Sequence, residues 1–159
     1  MPSPEPLQEL AVTIKERLMA DLKQAMREGD TVRRDAIRMA RAAILNYEKA
    51  QLKEATEEEV IAVLLHEVKQ RNESIELFRQ GHRDDLVAAE EAQIAVLQMY
   101  LPRQLAPEEI EQAVRNVIAE LGASGPQQLG IVMREAMSRL KGQADGRLVN
   151  QIARELLQR

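Results

Sequence analysis

The 159-residue chain is long enough for one ordinary domain or two small ones. Its 22 Lys and Arg against 26 Asp and Glu give a net charge of -4 and a pI near 5.4, which argues against a general nucleic-acid coat protein while leaving room for a local basic face. Cysteine is absent, and with it a disulfide scaffold, a thiolate zinc site and a Cys nucleophile.

Hydrophobic residues make up 45% of the chain but aromatics only 2%, so the core is built from Leu, Ile, Val, Met and Ala. These residues, with abundant Glu, Lys, Arg and Gln, favour helices over strands. The Pro-rich start, Met1 to Pro6, has neither a basic beginning nor an apolar run and does not read as a signal peptide. No stretch approaches the roughly 18 to 20 apolar residues of a membrane span. We therefore expect a soluble, cytoplasmic protein.

From Leu7 onward, Leu10, Ala11, Ile14, Leu18, Leu22, Ala25 and Met26 recur with the period of one helix face. Gly29 supplies a stop, and Asp30 or Thr31 caps a second helix bearing Val32, Ala36, Met39, Ala40, Ala43, Ile44 and Tyr47. Thr56 with Glu59 forms a capping box that opens a third helix. Its Ile61, Leu64, Val68, Ile75 and Phe78 line a seam that also holds Arg71. Gly81 ends it, and a fourth helix from about Asp84 buries Leu86, Ala89, Ile94, Leu97 and Leu101. Pro102 closes that helix. Pro107, Glu108 and Glu109 start a fifth, with a stripe of Ile110, Val114, Val117, Ile118 and Leu121 and a left-handed stop at Gly122. A sixth carries Leu129, Val132, Met133, Ala136, Met137 and Leu140 and is followed by Gly142. Asp145 caps the last, whose inner face is Val149, Ile152, Ala153 and Leu156. The expected architecture is all-α: an N-terminal four-helix unit over 1–102, then a C-terminal three-helix domain over 103–159. Gly130, inside the sixth helix, predicts a close helix crossing.

Several ordered segments resemble the GatB/YqeY family of the stand-alone YqeY type. They are Asp21-Leu22-Lys23-Gln24-Ala25-Met26 with Arg33, Ile37 and Arg38; Lys69 to Ile75 with Phe78; Gly81, Arg83, Asp85 and Leu86; and Tyr100-Leu101-Pro102 with Gln104 and Leu105. The tail adds Leu129-Gly130, Val132-Met133, Lys141 to Gly146 and Val149-Asn150. Arg34 departs from the pattern, which usually has an apolar residue there. The resemblance implies a two-part helical fold. Its C-terminal part is similar to the tail domain of the GatB subunit of tRNA-dependent amidotransferases, which contacts the tRNA body away from the reaction. It thus implies a tRNA-binding or tRNA-amidotransferase-associated accessory protein. By family association it also implies glutamine-dependent carbon–nitrogen ligase activity.

The residues themselves show no catalytic set. None of Ser3, Ser74, Ser124 and Ser138 sits in the setting of a nucleophile activated by a Lys or His base, no Gly-x-Ser-x-Gly elbow exists, and no Gly-rich phosphate loop opens a helix. His66-Glu67 begins a zincin-like string, but Gln70 stands where the second imidazole belongs. We expect no metal, no cofactor and no membrane contact.

Binding surfaces are better represented. Arg34, Arg38 and Arg41 fall in one strip of the second helix and could grip phosphates, or could be a solvated face paired with acidic neighbours. Arg139, Lys141 and Arg147 bracket the Gly142–Gly146 turn, with Asn150 in the following helical turn. This second set suits a phosphate at a helix start, though Asp145 stands at that spot and ordinary turn chemistry explains the glycines. Candidate partners are therefore tRNA or a tRNA-charging or amidating complex. The other reading is a helical protein-interaction adaptor without an RNA role. Arg71 with Glu73, a charge in an apolar seam, reads as a polar lock between helices.

Overall fold

The computed structural model describes residues 12–159. The Pro-rich start and the apolar positions Leu7, Leu10 and Ala11 lie outside the described residues. Among those described the chain is all-helical and has no strand. The helices are α1 (Ile14–Glu28), α2 (Thr31–Gln51), α3 (Glu57–Gln80), α4 (Asp84–Gln98), α5 (Pro107–Leu121), α6 (Leu129–Arg139) and α7 (Gly146–Leu157). A short 3-10 turn, Pro126–Gln128, leads into α6. The chain divides into two compact units, Met1–Leu101 and Pro102–Arg159.

In the first unit, α1 and α2 form a hairpin whose turn chemistry was written in the sequence. Gly29 sits at φ 69°, the left-handed conformation that a side chain resists. Asp30 then accepts the Arg33 N–H at 3.1 Å and starts α2 in the reverse direction. α2 packs against α1, α3 and α4 and is the central helix of this unit. Its inner face explains why: Ala36 and Ala40 are small enough for close approach, and Ile37 and Ile44 fill the remaining space. Leu18, Ile37, Leu64 and Leu97 are fully buried around it, with Val60 and Tyr100 completing the cluster. Ile75, Val87 and Ile94 make a smaller core where α3 and α4 continue together.

Helical period located these faces but misjudged their edges. Met26, Val32 and Met39, read as apolar-face residues, are 53%, 45% and 49% exposed. In α4 it is Val87 that is buried, while Ala89 is exposed. The two faces differ by little in periodicity, and the neighbouring helix decides between them.

Polar side chains lock the helices where aromatics would otherwise pack. Buried Arg71 places Nη1 2.9 Å from Glu67 Oε2 and donates Nε–H to Gln93 Oε1 of α4 at 3.2 Å. Glu90 of α4 stands 4.0 Å away. Glu73 is exposed and takes no part. The buried Tyr100 hydroxyl donates to Asp21, and burial with this carboxylate pushes the phenol pKa up. The capping box of α3 forms as expected, with Glu59 N–H to Thr56 Oγ1 at 3.2 Å. Glu59 also accepts from the Tyr47 hydroxyl and from Lys53 Nζ, and these donors hold its carboxyl down at about 2.

The second unit is a three-helix cluster in which each helix touches the other two. Ile110, Val114 and Val117 of α5 meet Val132 and Ala136 of α6 and Val149 and Ala153 of α7. The lead-in segment is tied to the α6–α7 turn by Leu105 N–H to Gln143 O at 2.9 Å and Gln104 Nε2 to Gly142 O at 2.7 Å. Gly130 corrects the expectation of a close crossing. It is exposed in the first turn of α6, and a Cβ there would meet nothing within 4 Å.

Two measurements follow from these locks. Arg71→Ala strands Glu67 and Gln93 and lowers unfolding free energy by about 2 kcal/mol in urea titrations, with Arg71→Met costing less because it keeps the volume. Because the folded pKa of Glu59 is depressed, its stabilisation is present above the unfolded carboxylate range. It is lost as pH falls from about 4.3 toward the folded value. The urea midpoint of Glu59→Gln therefore lies below that of the parent near neutrality and converges with it on acidification.

Candidate functional site

A concave surface lies in the first unit, between α1 and α2, and encloses about 790 Å³. The hairpin register arranges it in three zones. Near the turn stand Lys23 and Arg27 of α1, with Arg38 and Arg41 of α2 opposite. Met19, Ala20, Ala42 and Leu45 form the middle, over buried Leu18 and Ile44. The far end holds Glu16 and an ion pair between Lys15 Nζ and Glu48 Oε2 at 2.8 Å.

Charge is unevenly compensated along this groove. Among the described residues, no carboxylate pairs with Lys23, Arg27, Arg38 or Arg41; Arg38 Nη2 approaches only the Met26 sulfur at 4.0 Å. Arg34 is different. It sits half-buried with Nε 3.0 Å from Asp35 Oδ1, so only Arg38 and Arg41 of the expected strip face the groove. Arg33 is shared between Asp21 and Glu28, each at 3.7 Å. Lys23 and Arg27 escaped the sequence reading. Their i, i+4 spacing was visible, but their position opposite Arg38 and Arg41 depends on the register of the turn.

The tail residues are less concentrated. Arg139 binds Glu120 of α5 and places Nε 3.0 Å from Glu135 Oε1, and both carboxylates raise its pKa, Glu120 the more strongly. The Arg147 backbone N–H donates to Asp145 Oδ1 at 3.0 Å, so the helix start is already occupied by a carboxylate. The Arg147 and Lys141 side chains are exposed and Asn150 is half-buried.

His66 and His82 are exposed, and no group of three His, Cys, Asp or Glu among the described residues could hold a metal ion. No helix of the described residues is long and apolar enough to cross a membrane.

These features define a small protein, all-helical among the described residues, with a cation-ended groove between α1 and α2. Residues 15–157 match the family described as Yqey-like protein, and the chain belongs to that family. It is 36% identical over 131 residues to "Altered inheritance of mitochondria protein 41, mitochondrial" of Pyrenophora tritici-repentis (strain Pt-1C-BFP), covering 80% of this chain and 71% of the relative. The protein of the same name from Lachancea thermotolerans (strain ATCC 56472 / CBS 6340 / NRRL Y-8284) is 38% identical over 112 residues, covering 69% and 60%. That from Saccharomyces cerevisiae (strain YJM789) is 34% identical over 107 residues, covering 65% and 58%. The chain thus spans less than two thirds of the latter two relatives. All three carry "mitochondrial" in their names, which overturns the cytoplasmic location expected above. A missing signal-peptide pattern is silent on mitochondria, whose transit peptides are Arg- and Ser-rich and amphipathic rather than apolar.

Proposed function

We propose that this Yqey-like protein is a non-catalytic accessory factor that holds tRNA, or the tRNA of an amidating complex, through the cationic end of the α1–α2 groove. The observation that carries the reading is the convergence of Lys23, Arg27, Arg38 and Arg41, without carboxylate partners among the described residues, on one concave surface. Two guanidiniums on α2 can each take a phosphate bidentately, and two further cations face them across the groove. Binding of this kind reads backbone shape and releases counterions, so it suits a folded RNA and is steeply salt-dependent. The resemblance of the C-terminal part to a tRNA-contacting tail domain supports the same partner. Arg139 is left out, because its charge is already matched by Glu120 and Glu135.

Filter binding against total tRNA at two salt concentrations tests the reading. With four phosphate contacts, affinity falls roughly a hundredfold between 50 and 200 mM salt. Arg38→Glu with Arg41→Glu lowers it by about tenfold or more at the lower salt, whereas Arg139→Ala leaves it unchanged. Binding that is absent at low salt, or indifferent to the double substitution, rules the reading out.

The ligase reading requires ammonia release from glutamine, and none of the serines sits in the setting of an activated nucleophile that would supply it. Purified protein incubated with glutamine is expected to release no ammonia. A turnover-competent signal would reinstate the family-associated activity.

The apolar middle of the groove favours a second reading, a protein-docking adaptor. RNA phosphates have no use for Met19 and Leu45, which are 40% and 50% exposed.

A further inference from the structure

A groove built only for phosphates would be lined with donors throughout, but the centre of this one is not. Between its charged ends lie Met19, Ala20, Ala42 and Leu45. The alanines leave a depression flanked by two large, flexible side chains, the relief into which apolar knobs of a third helix pack. From Lys15 to Arg27 the groove follows α1 for about 18 Å, the length of roughly three turns of a partner helix. Its ends differ in charge. The turn end carries four cations with no ion-pair partner among the described residues, and the far end carries Glu16 beside the Lys15–Glu48 pair.

We infer that the α1–α2 groove docks an amphipathic helix of a partner protein, its apolar stripe on Met19 and Leu45 and its acidic end over Arg27, Arg38 and Arg41. The match is complementary at each zone: an apolar stripe at i, i+3, i+4 and i+7 for the middle, and carboxylates for the cations. The negative C-terminal end of the partner's own dipole adds to the attraction if that end lies at the turn. This inference shares its cations with the RNA reading but stands on the apolar floor, so helix and RNA compete for one surface.

The test uses the full chain and a fluorescein-labelled synthetic amphipathic peptide of about four turns, acidic at one end. A scrambled peptide of the same composition controls for charge alone. Fluorescence anisotropy is expected to show saturable binding of the first peptide and none of the second. Leu45→Asn weakens peptide binding about tenfold while sparing tRNA affinity, and Arg38→Glu with Arg41→Glu weakens both. Leu45 and Arg38 are exposed and Arg41 half-buried, and far-UV circular dichroism serves as the control that the variants keep their helices. Equal binding of both peptides, or indifference to Leu45→Asn, overturns the inference. So does self-association abolished by Leu45→Asn, which assigns the groove to a second copy, or Leu45-dependent binding to anionic vesicles in place of the peptide. Peptide binding without tRNA binding removes only the RNA reading; tRNA binding without peptide binding removes only this one.

Discussion

The turn at Gly29 and Asp30 fixes the register of α1 against α2, and the character of the first unit follows from it. A left-handed Gly29 reverses the chain within two residues. Asp30 then sets the phase of α2 by capping it at Arg33. With that phase, Ala36, Ile37, Ala40 and Ile44 turn inward, and Arg38 and Arg41 come to face Lys23 and Arg27. A one-residue change in the link would rotate α2 by about 100° and exchange these faces. The same turn therefore decides both what is buried and which charges converge.

A core in which Tyr100 is the one buried aromatic among the described residues has consequences for how helices are held in place. Aliphatic side chains supply burial but little directionality, so angular definition falls to polar contacts at the margins. Arg71 ties α3 to α4 through Gln93 and Glu90; Tyr100 ties the end of that pair back to Asp21 on α1; Glu59 joins α3 to Tyr47 on α2. Each lock joins a different pair of elements. Together they restrict sliding that Leu, Ile and Val alone would tolerate.

Much of the fold was legible because its punctuation is local. Gly29, Thr56 with Glu59, Pro107, Gly122 and Asp145 act within one helical turn, and each sits at the helix end that its chemistry indicates. Face edges were less legible, since Met39 and Val87 depend on which helix packs alongside. The site was legible in part for the same reason. Arg38 and Arg41 lie on one helix and could be paired by counting, whereas Lys23 and Arg27 join them only through the hairpin. Arg34 and Arg139 looked like their neighbours in sequence. Asp35 and Glu120 distinguish them, one adjacent in the chain and the other on another helix.

The placement of the few aromatic residues divides the protein spectroscopically. Tyr47, Phe78 and Tyr100 all precede Pro102, and there is no tryptophan. Ultraviolet emission therefore originates wholly in the first unit, from two phenols each bonded to a carboxylate, Glu59 and Asp21. The second unit is dark at those wavelengths. A melt followed by tyrosine emission reports the α1–α4 unit alone, while a backbone signal sums both, and the difference between the two curves isolates the α5–α7 unit without any label.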